Sequence, residues 1–290
     1  MSDIGSLAID SLIRPKRQEY NESDLKLSYL IDGYGEIQRI PTLFRNFRNL
    51  KIVGSLYQTN KWAKGNPCLI YLHGNSGSQL EGRYLVKIFI PLGISVFCFD
   101  FAGSGNSEGD FVSLGYYEKY DVTAAMDYLR EKHDVNKIII WGRSMGAVTG
   151  IFSLSIHQDI AAAVLDSPFA TLHDEIFALA DEYHLRFILS LGLYDKIRNT
   201  ALEKANFNVD DVNPIHEVPN CFSPLFLIHA KDDTTIPIDS SLKIFEEYLP
   251  KVKQFHVVEG DHYTDRPISV IKEATEFICE SLGFEITFED

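Results

Sequence analysis

Between residues 68 and 166, short apolar runs alternate with longer amphipathic stretches. Cys68–Leu72, Ile94–Phe99, Lys137–Trp141 and Ala161–Leu165 are strand-length and nearly continuously hydrophobic, as strands buried on both faces of a parallel sheet must be. Leu80–Ile90, Tyr116–Lys132 and Met145–His157 lie between them with helical spacing, and this repetition predicts βαβ units. Upstream, the β-prone segments Ile37–Phe44 and Leu50–Tyr57 are joined by Arg45–Asn49 and predict an antiparallel hairpin. The alternation stops between Ser167 and Ser223, where Leu172–Tyr183 and Leu185–Leu202 have a helical pattern and no strand is convincing. It resumes with strand Leu225–His229, helix Ser240–Leu249, strand Phe255–Val258 and helix Ile268–Leu282.

The pattern predicts an α/β chain. Its central sheet is mostly parallel with an antiparallel N-terminal hairpin, helices cover both faces, and a helical cap is inserted late. Residues 1–36 are polar, without a clear period, and are expected to form an irregular arm on the surface. Residues 37–166 and 224–290 make the core, and residues 167–223 make the cap.

Composition narrows the function classes. At 290 residues, 45% hydrophobic and 23% charged, the chain is an ordinary soluble globular sequence. A chain of this size buries about three quarters of its unfolded surface and needs no disulfide or metal staple. A net charge of −14 opposes binding to nucleic acid or to an anionic membrane surface. Cys68, Cys98, Cys221 and Cys279 are scattered without CxxC spacing and are expected to stay reduced, which suits a cytoplasmic protein. The first residues do not follow the secretory pattern, and no apolar run approaches the roughly 18 residues of a spanning helix, so no transmembrane segment is expected.

The candidate chemistry lies at strand ends. Strand Lys137–Trp141 runs straight into Gly142-Arg143-Ser144-Met145-Gly146 and then into a helix, the strand–turn–helix setting that gives a GxSxG motif its meaning. In that turn Ser144 stands at the carboxyl edge of the sheet, and the glycines are needed because a Cβ would strike the adjoining strand or helix. Acyl transfer also requires two preorganised N–H donors for an oxyanion. Met145, after the serine, supplies one, and Asn75 in the loop His73-Gly74-Asn75-Ser76-Gly77 is the best candidate for the other. His73 reads as a turn residue packed behind that loop. A serine hydroxyl needs a base, and the base an orienting carboxylate. Strand Phe255–Val258 ends in Glu259-Gly260-Asp261-His262, which makes His262 the base, and strand Leu225–His229 ends in a loop with adjacent Asp232 and Asp233. Asp166, also at a strand end, is a weaker rival for the acid. No metal-ligand spacing and no nucleotide-binding glycine motif is present, so no cofactor or metal is expected.

The string Cys68-Leu-Ile-Tyr-Leu-His-Gly-Asn-Ser-Gly-Ser78 resembles the first oxyanion loop of the α/β-hydrolase superfamily. Phe99-Asp-Phe-Ala-Gly-Ser-Gly-Asn-Ser-Glu-Gly109, Gly142-Arg-Ser-Met-Gly-Ala147 and Val164-Leu-Asp-Ser-Pro-Phe169 resemble its serine aminopeptidase-like and monoglyceride lipase-like members, including the Bem46-like subgroup and depalmitoylating thioesterases. The resemblance covers roughly residues 40–282. It implies an acid loop of the form His-Gly-x-x-Asp-x-x-Val/Ile-Pro, which maps onto His229–Pro237 and selects Asp233 over Asp232, with Ala230 in place of the usual glycine. It implies a serine hydrolase but does not fix the substrate; the leading expectation is a carboxylic ester or thioester of a small-molecule or lipid-like acyl group, cleaved through an acyl-enzyme. An aminopeptidase-type peptidase and a non-catalytic binding protein of the same fold are the alternatives. In the cap, Phe177, Phe187, Ile188, Leu189, Leu191 and Leu193 could line an acyl pocket or only pack the cap onto the core. Glu175, Asp181 and Glu182 could meet a substrate ammonium or form a solvated helix face.

Overall fold

A computed structural model describes residues 12–182 and 189–284 of the chain. The strands are β1 (Ser28–Ile31), β2 (Gly35–Arg45), β3 (Lys51–Tyr57), β4 (Pro67–Leu72), β5 (Ser95–Phe99), β6 (Lys137–Arg143), β7 (Ile160–Asp166), β8 (Leu225–Ala230) and β9 (Lys253–Val258). They form one sheet in the order β1-β2-β3-β5-β4-β6-β7-β8-β9. The pairs β1–β2, β2–β3 and β3–β5 are antiparallel. From β5 through β4, β6, β7 and β8 to β9 every pair is parallel.

Successive strand residues point to opposite faces, so each uninterrupted apolar run feeds two cores. Ile70, Ile138, Ile140, Leu165 and Leu227 face the side covered by helices Glu118–His133 and Met145–Ile156. Leu69, Ile139, Trp141, Val164 and Phe226 face the side covered by helix Ile268–Leu282. These two layers of helix hold a mostly parallel sheet whose carboxyl edge carries every candidate loop. The four cysteines are free and buried.

Two elements differ from the sequence expectation. Within the segment expected to be an irregular surface arm, residues 28–31 form a strand. Ser28–Ile31 pair with Ile37–Gly35 and neighbouring residues of β2 as an edge strand, and Ile13 is completely buried in the core. The strand is only four residues long and carries an exposed Leu30. Such a short edge strand has too little periodicity to read, because its partner specifies it. The predicted helix Leu80–Ile90 is instead a broken run, with a 3₁₀ turn at Glu81–Leu85, one α-turn at Val86–Phe89 and a second 3₁₀ turn at Ile90–Leu92. Gly82 lies so close to the ring of Tyr71 that a Cβ there would fall 2.3 Å from it, which presses the segment onto β4. In the segment expected to form the cap, helices Leu172–Glu182 and Tyr194–Ala205 are present. Residues 183–188, with the start of the predicted helix Leu185–Leu202, lie outside the described residues, as do residues 1–11 and 285–290.

The turn between β6 and helix Met145–Ile156 is closed by contacts that leave no room for a side chain. A Cβ on Gly142 would meet the Gly146 carbonyl oxygen at 2.3 Å, and one on Gly146 would meet the Leu72 carbonyl oxygen at 1.9 Å. Both obstacles are backbone, which cannot swing aside as a flexible side chain can. Gly146→Ala is therefore expected to destabilise the protein by more than about 3 kcal/mol. Urea unfolding monitored by Trp fluorescence measures this; a change below about 1 kcal/mol would mean that the two elements are not locked together.

Candidate active site

Ser144 occupies that turn with φ 54° and ψ −121°, a region non-glycine residues avoid and adopt only when their surroundings impose it. Neighbouring backbone does so here. The Ser144 N–H donates to the Asp166 carbonyl of β7 at 2.8 Å, and the Ser144 carbonyl accepts from Ala147 and Val148 as the helix begins. Its side chain makes no capping hydrogen bond. Oγ is instead turned to His262, whose Nε2 lies 3.1 Å away.

His262 comes from the loop after β9 and is largely buried. Its Nδ1 lies 2.7 Å from Asp233 Oδ2, so the carboxylate fixes the tautomer that carries hydrogen on Nδ1 and leaves Nε2 facing Ser144 as an acceptor. The Asp233 side chain is fully buried, and its Oδ1 accepts from the Ile236 N–H at 2.8 Å. Burial by itself would raise this carboxyl, but the hydrogen bond and charge of His262, with the Ile236 N–H, outweigh it and hold Asp233 below the usual carboxylate range. Asp232 is exposed, and its N–H donates to the Gly260 carbonyl. Asp166 faces Arg266. Of the three candidate carboxylates, Asp233 is the one the structure brings to the imidazole.

Behind Asp233 sits a group the sequence reading passed over. His229, at the end of β8, is completely buried. Its Nε2–H donates to the Ile236 carbonyl at 2.8 Å, and Nδ1 accepts from the Ser241 hydroxyl at 2.7 Å. Burial pushes this imidazole below its ordinary value, so it stands neutral and serves as a spacer that shapes the Asp233–Ile236 loop. Its position at a strand end was the available signal.

The loop after β4 approaches from the other side. His73 is fully buried, donates from Nδ1 to the Gly74 carbonyl at 2.7 Å and accepts the Phe101 N–H on Nε2 at 3.1 Å. It is thus packed behind the loop as expected. Glu81 accepts from the Gly74 N–H at 3.2 Å and the Tyr71 hydroxyl at 2.8 Å. The Asn75 amide donates to the Leu12 carbonyl at 3.1 Å, which ties the loop to the N-terminal segment. Met145 opens its helix, where the first N–H groups have no intrahelical acceptor. Asn75, Ser144, Met145 and His262 line one cavity of about 1160 Å³.

Phe169, Leu172 and Glu175, from the segment expected to form the cap, also line that cavity. Phe177 stacks on His173 with ring centroids 4.6 Å apart, Leu189 is buried, and Leu193 packs against the core. Phe187, Ile188 and the side chains of Glu182 and Leu191 lie outside the described residues. Asp181 is exposed and Glu175 is buried. Among the described residues no helix is long and apolar enough to cross a membrane.

With this geometry in place, comparison with known proteins places the chain. The serine aminopeptidase S33 family profile (Hydrolase_4) matches residues 66–213, just over half of the sequence. The uncharacterized protein YqkD of Bacillus subtilis is 28% identical over 217 residues, covering 72% of this chain and 70% of YqkD. The lysophosphatidylserine lipase ABHD12 of Rattus norvegicus is 26% identical over 221 residues, covering 73% of this chain and 52% of the lipase, so the chain spans about half the length of that relative. The Pyrococcus furiosus esterase Pf2001 shares the fold with a TM-score of 0.69 at 21% identity, over 92% of this chain and 98% of the esterase. The chain belongs to the serine aminopeptidase S33 family of α/β-hydrolases and is a serine hydrolase.

Proposed function

We propose that the protein cleaves a carboxylic ester or thioester of a lipid-like acyl substrate, with Ser144 as nucleophile, His262 as general base and acid, and Asp233 as the orienting carboxylate. One observation carries the reading: an unbroken line from Ser144 Oγ to His262 Nε2 at 3.1 Å and from His262 Nδ1 to Asp233 Oδ2 at 2.7 Å. In the proposed reaction His262 Nε2 takes the hydroxyl proton as Oγ bonds to the acyl carbon. The carbonyl oxygen becomes an oxyanion held by the N–H groups of Met145 and Asn75. The imidazolium returns its proton to the leaving alkoxide or thiolate as that bond breaks, which leaves an acyl-enzyme on Ser144. Water repeats the cycle and releases the acid.

Several features support an amphiphilic substrate. Apolar side chains of Leu114, Phe169, Leu172 and Ile236 share the cavity with charged residues of the N-terminal segment. Lysophosphatidylserine is the first lipid to test, because it is the substrate named for the ABHD12 relative. Buried free thiols on all four cysteines fit a reducing compartment and support a cytoplasmic location. A second reading, an aminopeptidase, is favoured by the buried Glu175 carboxylate in the cavity wall, which could pair with a substrate ammonium. A panel of p-nitrophenyl esters of graded acyl length beside aminoacyl anilides separates the two readings.

A further inference from the structure

We infer that Arg266, paired with Asp166, is a positioning residue that holds the His262 loop in register with Ser144. The inference rests on the reading of His262 as the base. Asp166 closes β7 beside Arg143 of β6, and two different parts of it reach the two halves of the site. Its backbone carbonyl receives the Ser144 N–H at 2.8 Å. Its carboxylate receives Arg266 in a bidentate pair, Nε to Oδ2 at 2.8 Å and Nη2 to Oδ1 at 3.0 Å. Both side chains are only 4% exposed, so solvent screens the pair little.

Arg266 carries this anchorage into the histidine loop. Its Nη1 donates to the Asp261 carbonyl at 3.1 Å and to the Thr264 carbonyl at 2.9 Å. Arg143, 3.7 Å from the same Asp166 carboxylate, donates from Nη2 to the His262 carbonyl at 2.6 Å and to that of Thr264 at 3.1 Å. Three backbone carbonyls around the imidazole are thus gripped by two guanidinium groups that share one carboxylate. Asp233 orients the ring of His262, whereas the Asp166–Arg266 pair locates its backbone. Because Asp166 also holds the Ser144 N–H, nucleophile and base are referred to a single residue, and the Oγ–Nε2 distance becomes insensitive to movement elsewhere. A lysine cannot replace this arrangement, since a point charge cannot satisfy the carboxylate bidentately and reach two carbonyls.

The test compares Arg266→Met, Arg266→Lys and the double variant Asp166→Asn/Arg266→Met with wild type, with kcat corrected by active-site titration. A loosened base misplaces the reacting atoms, so Arg266→Met should lower both kcat and the rate of fluorophosphonate labelling by about 10²-fold, with KM unchanged within about two-fold. Arg266→Lys should fall between, and the double variant should stay as slow as Arg266→Met. Retention of kcat per titrated site, or a loss confined to KM, would overturn the inference. Recovery of wild-type kcat in the double variant would overturn it too, because an unpaired buried charge would then explain the defect. His262→Ala separates the two levels: if it is inactive while Arg266→Met keeps wild-type kcat, positioning alone fails. If His262→Ala labels like wild type, the base assignment fails and the inference with it.

Discussion

Ser144→Ala is expected to lower kcat for ester hydrolysis by a factor on the order of 10⁶ and to abolish fluorophosphonate labelling. The size follows from the arrangement. Ser144 Oγ makes no capping bond and faces His262 Nε2 at 3.1 Å, so its removal deletes the proposed acyl acceptor and leaves only binding and the proposed oxyanion donors. Thermal stability should change little, because alanine keeps the Cβ and the positive φ of 54° is imposed by backbone hydrogen bonds that do not involve the side chain. This separates a chemical defect from a folding defect. If the purified, folded variant hydrolysed p-nitrophenyl acetate as fast as wild type, another group would be the nucleophile.

Asp233→Asn is expected to lower kcat by about 10⁴, while Asp232→Asn changes it by less than about ten-fold. A carboxylate can only accept, so Asp233 requires the hydrogen of His262 to sit on Nδ1. An amide can turn its NH₂ to Nδ1 instead. The ring hydrogen then moves to Nε2 and points at Ser144, where it blocks proton acceptance. The variant also loses the buried negative charge that would stabilise the imidazolium of the proposed reaction. Asp232 is exposed and touches the histidine loop only through its backbone, which asparagine preserves. Steady-state kinetics of both variants decide the matter, and the reverse ranking would move the acid role to Asp232.

These aspartates mark a boundary in what a sequence can show. From the residues alone, adjacent carboxylates at one strand end are equivalent, and only resemblance to a family pattern ranked Asp233 first. In the structure the distinction is a matter of direction. The Ile236 N–H and the neutral His229 behind the loop turn one side chain inward, and the other is left in solvent. Asp166 shows the same limit: its strand-end position made it a candidate acid, but Arg266, one hundred residues later, occupies its carboxylate.

What the sequence by itself determined is the part that rests on local periodicity and steric necessity. Continuous apolar runs can be satisfied only by burial on two faces, so the parallel sheet and its helices are legible strand by strand. Gly142 and Gly146 are forced by close backbone approach, so the Ser144 turn was legible too. Tertiary structure alone decided the features that depend on a distant partner. Edge strand Ser28–Ile31 exists because β2 pairs with it, and the 3₁₀ turn Glu81–Leu85 is pressed onto β4 where Gly82 meets Tyr71. The Asp166–Arg266 pair and the tie from Asn75 to Leu12 likewise join residues far apart in the chain. Periodicity reports how one segment divides between core and water, but it carries no information about which remote group will meet a given side chain. That choice is made when the strands assemble, and here it sets the distance between Ser144 and His262.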